Sequence, residues 1–224
     1  MVMLTNLELI RRVPLFAMLS PDQARSVADS VTKKRFKRGE ILVEQGKKSD
    51  CLYILLTGRA RVLSCDAKGR EVILATLKAG DHLGEMSLID NQTHSATVRT
   101  EVQTDALVLD RFQFAKLLPE NTSMAYAVMR GLVQRLRVAD RKIESLALMD
   151  VYGRVARALI ESATDMGDGK LQIREKISRQ DIAKMVGASR EMVSRVMKDL
   201  EEQGFIVTLP DGGMLVRDRL STLE

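Results

Sequence analysis

Residues 84–98, GEMSLIDNQTHSATV, have the order expected of a pocket that holds the phosphate of a nucleotide. A Gly-Glu turn comes first, followed by a short apolar turn of helix, a polar loop and small residues. The candidate ligand-binding residues of this stretch are Gly84, Glu85, Met86, His94, Ser95 and Ala96. An arginine would suit the phosphate at position 94, because a guanidinium carries a permanent charge and a planar fork of donors. His94 has an unperturbed pKa of about 6.5, so it is mostly neutral at pH 7 and offers one donor.

A second chemical pattern lies in SRQDIAKMVGASREMVSRVMKDLEEQG, residues 178–204. Ser178, with an acidic residue three positions later, is typical of the start of a helix that Gly187 would end. Ser189 can cap a second helix, for which Gly204 is the stop signal. Two short helices joined by a tight glycine turn form a helix-turn-helix, so this segment predicts a DNA-binding unit.

Apolar residues recur at helical spacing in both helices and predict their inner faces. They are Ile182, Met185 and Val186 on the first helix, and Val193, Val196 and Leu200 on the second. The opposite face of the second helix, near its N-terminal half, can then enter the major groove of DNA. Its candidate base-reading residues are Arg190, Glu191, Ser194 and Arg195. Arginine can form bidentate hydrogen bonds with guanine, and glutamate can accept from cytosine.

Residues at the helix starts would hold DNA phosphates through backbone amides and side chains. They are Ser178, Arg179, Gln180 and Ser189.

PDGG at 210–213, between FIVTL and MLVR, predicts a hairpin that forms a wing. Residues 170–198 contain eight Lys/Arg against three Asp/Glu, an excess equal to the net charge of +5 of the whole chain. A concentrated basic segment favours nucleic-acid binding over a solvated helix that forms only surface ion pairs.

The region from 36 to 110 has the pattern of an antiparallel β-sandwich or barrel. Its aliphatic and β-branched runs are ILV (41–43), CLYILL (51–56), RARVL (59–63), VILATL (72–77) and ALVL (106–109). Glycines at 46, 58, 69 and 80 recur at intervals of 12, 11 and 11 residues and predict turns. A short helix is expected before these strands, from about Pro21 to Thr32.

A long helix is expected after Pro119, because residues 121–147 contain no Pro and a single Gly, Gly131. Apolar residues recur there in steps of three and four and form a heptad seam, which favours a parallel helix dimer. The seam residues are Met129, Leu132, Leu136, Ala139, Ile143 and Leu146. Packing of the helix on its own domain is the alternative, although the charged residues beside the seam favour the dimer.

Composition excludes several other classes of protein. The two cysteines have no C-x-x-C spacing, which argues against a zinc site, an iron–sulfur cluster or a disulfide scaffold. No apolar run approaches the roughly 20 residues that span a bilayer, and the polar residues of MVMLTNLELIRR do not fit a signal peptide. We therefore expect a cytoplasmic protein without a membrane partner or a metal. No paired carboxylates, nucleophile–base set or metal cluster supports an enzyme such as a nucleotide hydrolase.

The chain resembles the Crp/Fnr family of bacterial transcription regulators over nearly its whole length. Three segments carry the likeness: GEMSLIDNQTHSATV, ESLALMDVYGRVARALI (144–160) and SRQDIAKMVGASREMVSRVMKDLEEQGFI (178–206). The resemblance implies an α+β fold in three parts. These are an N-terminal antiparallel β-roll or jelly-roll sensor at 1–118, a long dimerisation helix at 119–148 and a C-terminal winged helix-turn-helix domain at 149–224.

The resemblance also implies partners and an effector. Arg190-Glu191-x-x-x-Arg195 matches the set with which the family's cyclic-AMP receptor reads a TGTGA half-site. This implies a homodimer on a palindromic promoter site in double-stranded DNA, with half-site centres one helical turn apart, and RNA polymerase as a partner. In the family, a cyclic nucleotide in the β-roll contacts the long helix and reorients the DNA domains, which is a population shift. The residue that matches Glu85 accepts from the ribose 2′-OH, and an Arg-Ser pair binds the phosphate.

Two departures from the family's cyclic-AMP pocket bear on the effector. His94 replaces that arginine, and Ala139 and Asp140 stand where the cyclic-AMP receptor has Thr and Ser against the adenine. Asp140 can accept from the N1–H and N2–H edge of guanine, and Arg137 and Arg141 can stack on a base or bind a phosphate. These short patterns are similar to arrangements in cyclic di-GMP binders, so we expect cyclic di-GMP to be preferred over cyclic GMP or cyclic AMP. As an alternative, these residues are only the charged flanks of a coiled coil.

Two other functions remain open within the same fold. In the first, the pocket is vestigial and the protein binds DNA without any ligand. In the second, the protein senses haem or oxygen through His82, His94, Cys51 and Cys65, although their spacing indicates no site.

Overall fold

The computed structural model describes residues 5–11, 13–120, 122–167 and 170–217. Contacts between residues divide the chain into two compact units, Met1–Leu136 and Arg137–Glu224. The division falls inside the long helix, whereas the sequence predicts domain boundaries near 118 and 148. Among the described residues, no helix is both long and apolar enough to cross a membrane.

The N-terminal unit begins with short capped helices. Helix α1 spans Asn6–Ile10, a 3₁₀ turn spans Pro14–Phe16, and helix α2 spans Pro21–Ser30. Ser20 and Gln23 form a capping box at α2, which satisfies amides that otherwise lack a partner. The helix ends two residues earlier than expected, because Val31 and Thr32 begin a strand and pair with Leu109 and Val108.

Eight strands of the N-terminal unit form two four-stranded antiparallel sheets, which confirms the predicted β-roll. The first sheet has the order β1 (Val31–Phe36), β8 (Thr104–Asp110), β3 (Cys51–Leu55) and β6 (His82–Leu83). The second has the order β2 (Ile41–Val43), β7 (Thr97–Thr100), β4 (Arg59–Cys65) and β5 (Glu71–Lys78). Strand β1 has no apolar run, because its four central residues, TKKR, are polar or charged, and all four are exposed. Cross-strand pairing with β8 defines it instead.

Two apolar clusters stabilise this unit. In one, Leu52 and Leu107 of the first sheet pack with Val27 of α2 and with Met124 and Val128 of the long helix. The other lies between the sheets and includes buried residues of β3, β4, β7 and β8. Each fully buried Leu, Val or Met side chain contributes about 1.5–3 kcal/mol. Helices α3 (Glu85–Asp90), α4 (Arg111–Glu120) and α5 (Thr122–Leu148) follow, and α5 continues beyond the end of this unit at Leu136.

The C-terminal unit packs three helices on a four-stranded antiparallel sheet of order β11-β12-β10-β9. Its elements are α6 (Val151–Ser162), β9 (Thr164–Asp165), β10 (Lys170–Ile173), α7 (Arg179–Val186), α8 (Arg190–Glu202), β11 (Ile206–Thr208) and β12 (Met214–Arg217). Strands β11 and β12 form the predicted wing, and the amide of Leu209 donates to the Gly213 carbonyl across its turn. This unit is the predicted winged helix-turn-helix.

The inner faces of α7 and α8 differ slightly from the prediction. Ala183 and Met197 are buried, whereas Met185 and Val196 are only half-buried. Residues 193, 197 and 200 follow the i, i+4, i+7 spacing of a helical face, and they are fully buried in a cluster with apolar residues of α6, α7 and the sheet.

Candidate functional site

Side-chain caps define both helices of the helix-turn-helix. The Ser178 hydroxyl accepts from the Asp181 amide at 3.0 Å, and the Ser189 hydroxyl accepts from the Met192 amide at 3.2 Å. Gly187 ends α7 with a φ of +65°, a left-handed conformation that favours glycine. The sequence predicted these three features because each depends on residues only a few positions apart.

The outer face of α8 carries the predicted base-reading residues. Arg190, Glu191, Ser194 and Arg195 are all exposed. Ser194 donates to the Arg190 carbonyl at 2.8 Å, so its hydroxyl is engaged with its own helix in this structure. Hydrogen bonds from its own backbone amide and from Ser189 lower the pKa of Glu191. The carboxylate therefore stays ionised and can act as an acceptor at neutral pH.

A cleft of about 380 Å³ lies beside α8 and brings most of the predicted phosphate-binding residues together. It is lined by Lys176, Ile177, Ser178, Arg179, Gln180, Arg190, Thr208, Gly212 and Met214. Glu201 joins three elements at this cleft. Its Oε1 accepts from Thr208 of the wing at 2.6 Å and lies 3.4 Å from Nη2 of Arg179. We name the eight predicted DNA-binding residues the reading surface: Ser178, Arg179, Gln180, Ser189, Arg190, Glu191, Ser194 and Arg195.

In the N-terminal unit, the predicted pocket stretch begins with a tight turn. Gly84 precedes α3 with a φ of +93°, and a Cβ at this position would lie 2.4 Å from the Cys51 carbonyl oxygen. Only glycine fits this close approach of two backbones. The turn directs the Glu85 side chain inward, where it is 1% exposed, whereas Met86 is exposed.

The long helix supplies an unexpected partner for Glu85. Nη1 of Arg135 lies 2.5 Å from Oε1 of Glu85, and Nη2 of Arg135 donates to the backbone carbonyl of His82. The second carboxylate oxygen, Oε2, is buried without a hydrogen-bond partner. Burial raises the pKa of Glu85, and the charge of Arg135 opposes this rise. We call His82, Glu85 and Arg135 the Glu85 cluster.

The sequence prediction assigned Arg135 only to the charged flank of the seam and missed this role. Arg135 lies 50 residues after Glu85. The available signal was that Arg135 is a basic residue on the long helix, which was expected to contact the β-roll. Several other basic residues lie beside the same seam, so the sequence does not single out Arg135 as the partner of Glu85.

His94 is held by a different partner. It is 8% exposed, and its Nε2 lies 2.6 Å from the Ser49 hydroxyl. Its backbone is also fixed, because its amide donates to Lys47 and its carbonyl accepts from Gly46. Burial lowers the pKa of His94, so the ring is neutral at pH 7. Ser95 is exposed and Ala96 is buried.

The remaining predicted ligand-binding residues follow Arg135 along α5. Arg137, Asp140 and Arg141 are exposed and belong to the C-terminal unit. The structure thus pairs Glu85 with Arg135 and His94 with Ser49. The three predicted ligand-binding residues on α5 face solvent.

Four residues of the predicted dimer seam are strongly exposed apolar side chains. Met129, Leu136, Ile143 and Leu146 are between 56% and 64% exposed. Ala139 is exposed too, whereas Leu132 is half-buried against the core of the N-terminal unit. Such a stripe on one helix is typical of a surface that another chain covers.

Both units match known domain families. Residues 33–121 match the cyclic nucleotide-binding domain, and residues 153–221 match the Crp-like helix-turn-helix domain. The fold and the two matched domains define a DNA-binding transcription regulator with a cyclic nucleotide-binding domain.

Similar whole proteins agree with this class. The cAMP-activated global transcriptional regulator Vfr of Pseudomonas aeruginosa is 36% identical over 78% of this chain and 84% of its own length. The CRP-like cAMP-activated global transcriptional regulator of Mycobacterium tuberculosis is 30% identical, over 89% and 90%. The structure of the c-di-GMP responsive global regulator CLP of Xanthomonas campestris superposes with a TM-score of 0.76 at 25% identity, covering 88% of this chain and 99% of that one. The chain belongs to the Crp/Fnr family of transcription regulators.

Proposed function

We propose that this chain acts as a homodimer that reads a palindrome of TGTGA-type half-sites under the control of a guanine-containing cyclic nucleotide. Cyclic di-GMP is the preferred effector. The proposal rests chiefly on α8, which is capped at Ser189 and exposes Arg190, Glu191 and Arg195 on one face.

The chemistry of α8 supports a half-site that contains both guanine and cytosine. Two arginines on this face can each form a bidentate pair with guanine, and the ionised Glu191 can accept from cytosine N4. Arg179 and the Ser178 cap lie in the adjoining cleft, where the backbone of the same DNA would pass.

The exposed seam of α5 supports the homodimer. A second copy of the helix would cover Met129, Leu136, Ile143 and Leu146 and remove their apolar surface from water. A two-fold dimer also explains a palindromic site, because each copy would present one α8 to one half-site.

Three features support a guanine-containing effector. His94 is neutral and bonded to Ser49, so it supplies no permanent charge to a phosphate. Asp140 is an exposed acceptor, and guanine offers an N1–H and N2–H edge that adenine lacks. The regulator CLP of Xanthomonas campestris, which is described as c-di-GMP responsive, has a similar fold at 25% identity.

Cyclic AMP is the second candidate, and Glu85 favours it. The buried Oε2 of Glu85 has no partner and could accept from a ribose hydroxyl. Relatives described as cAMP-activated are 30% and 36% identical to this chain.

Calorimetric titration of the purified protein with cyclic di-GMP and, separately, with cyclic AMP tests the effector. We expect cyclic di-GMP to bind and Asp140→Ala to abolish that binding without loss of folding. Glu144→Ala is the matched control, because Glu144 is an exposed acid one turn further along α5. Unchanged binding in Asp140→Ala contradicts the guanine-edge assignment. Absence of binding by either nucleotide favours a vestigial pocket.

Fluorescence anisotropy with a labelled TGTGA palindrome tests DNA reading, with a scrambled duplex as the competitor. We expect a preference for the palindrome that the effector changes, and one dimer per duplex by analytical ultracentrifugation. Equal affinity for both duplexes contradicts the assigned half-site.

A further inference from the structure

Gly131 occupies an unusual place for glycine, in the interior of the 27-residue helix α5. Glycine is less favourable than any residue except proline in a helix interior. A Cβ at position 131 would lie 2.9 Å from Cε1 and 3.2 Å from Nε2 of His82. The imidazole therefore fills the space that any other side chain at this position would need.

His82 is confined on its side of this contact. It lies on β6, where Ile54 of β3 is its strand partner, and it is 8% exposed. Its Nε2 is buried without a hydrogen-bond partner. Burial and the nearby charge of Arg135 lower the pKa of His82 to about 4, so the ring is neutral at physiological pH. Because the surrounding side chains enclose the ring, it cannot easily move away from a larger residue at 131.

The two residues lie beside the polar contacts of Arg135. Residues 131 and 135 are one helical turn apart on the same face of α5. Arg135 donates to the backbone carbonyl of His82 and pairs with Glu85. Strand β6 thus meets α5 twice, once through the imidazole against Gly131 and once through Arg135.

We propose that His82 and Gly131 are positioning residues that determine how closely α5 approaches β6, and so place Arg135 on Glu85. The expected effect on effector affinity depends on the proposed function, because it requires Glu85 to take part in effector binding. The close approach explains both the glycine within the helix and the buried histidine. It also gives His82 a packing role in place of the haem-ligand role considered from the sequence, because Nε2 faces the helix backbone.

A double-mutant cycle tests this packing, with Gly131→Ala made in the wild-type chain and in His82→Ala. In the wild-type background, the added methyl must displace α5 or the ring. We expect a lower urea midpoint and binding of cyclic di-GMP or cyclic AMP weakened by about tenfold or more. His82→Ala leaves a cavity beside residue 131 and should itself weaken effector binding, because α5 loses its contact with β6. In that background the added methyl fills the cavity, so Gly131→Ala should raise the urea midpoint and restore effector binding. Arg130→Ala, at an exposed neighbour, is the control and should change neither quantity.

The role of Arg135 has its own test. If Gly131→Ala acts by displacing Arg135, its effect on effector affinity should vanish in an Arg135→Ala background. Additive losses there would overturn the positioning role. Equal effects of Gly131→Ala with and without His82 would overturn the packing contact. If neither nucleotide binds the wild-type protein, the proposed effector is wrong, and urea midpoints still decide the inference. The midpoint must rise on Gly131→Ala only when His82 is absent, and the loss caused by Gly131→Ala must be smaller in the Arg135→Ala background than in the wild-type chain.

Discussion

The reading surface of the C-terminal unit and the Glu85 cluster of the N-terminal unit organise their polar groups in opposite ways. On the reading surface, Arg190, Glu191 and Arg195 are exposed and project from one capped helix. In the Glu85 cluster, a carboxylate that is 1% exposed already has an arginine partner from a distant helix.

This difference indicates how each site would bind its ligand. DNA bound at the reading surface would meet exposed charges, so binding would replace water and counterions. An effector at Glu85 must either use the remaining Oε2 or exchange with Arg135, because the other oxygen is engaged. Any exchange would alter the contact between α5 and β6. An ion pair with a buried carboxylate can therefore couple effector binding to a movement of α5.

The largest effect is expected from Arg135→Ala, which removes the buried carboxylate's partner. Unfolding free energy of the N-terminal unit should fall by about 3 kcal/mol, because Glu85 stays buried without its cation. Urea unfolding followed by circular dichroism measures the loss. Arg130→Ala is the exposed control on the same helix, and a similar loss there would contradict the role of the ion pair. Adding Glu85→Gln to Arg135→Ala should recover part of the stability.

The pH dependence of stability distinguishes the buried cluster from the exposed surface. The pKa of His82 is about 4 in the folded chain against 6.5 for an unperturbed histidine, so the unfolded chain binds this proton more readily. The free energy of unfolding is therefore not reduced by His82 above pH 6.5, where the ring is neutral in both states. It falls by about 3 kcal/mol as the pH is lowered to 4, because the unfolded chain takes up the proton first. Urea unfolding at a series of pH values measures this slope.

His82→Leu should flatten the slope between pH 6.5 and 4. The chain has two histidines, and burial lowers the pKa of His94 in the same direction, so a smaller residual slope should remain. An identical slope in both proteins would mean that His82 does not govern this range.

A third prediction concerns the reading surface. Arg195→Ala should weaken binding to a TGTGA palindrome by about 5- to 150-fold, equivalent to ~1–3 kcal/mol for one bidentate contact with guanine. Stability should hardly change, because the side chain is exposed. Anisotropy titrations with the palindrome and a scrambled duplex measure both affinities. Lys198→Ala is the control on the same helix, and an equal loss on both duplexes would make Arg195 a phosphate contact.

The smallest effect is expected from Glu201→Ala. The Glu201 carboxylate joins Arg179 to Thr208, and both partners are partly exposed, so its loss should cost less than about 1 kcal/mol of stability. DNA affinity should fall a few-fold on any sequence, because Arg179 is less well oriented toward a phosphate. Glu202→Ala is the neighbouring control. Tighter DNA binding in Glu201→Ala would mean that charge repulsion outweighs the orientation of Arg179.

The helix-turn-helix was predictable because its signals are local. Ser178, Gly187 and Ser189 act within one turn of their own positions, so their types and spacing define the helix boundaries. The wing turn and the heptad spacing of α5 are equally local. The roles proposed for the reading surface depend on this local pattern and stay predictions until DNA binding is measured.

The sequence by itself determined the caps of the helix-turn-helix, the wing, the glycine turn at Gly84 and the heptad spacing of α5. Only the tertiary structure decided that the polar strand β1 pairs with β8, that Met197 is buried where Val196 was expected, and that Arg135 reaches Glu85. The physical reason is distance along the chain. Caps and turns are satisfied by neighbouring residues, whereas burial and ion pairing depend on which distant surfaces pack together. Gly131 shows a local and a distant effect together. It weakens the helix locally, and the distant imidazole of His82 explains why a glycine is needed at this position.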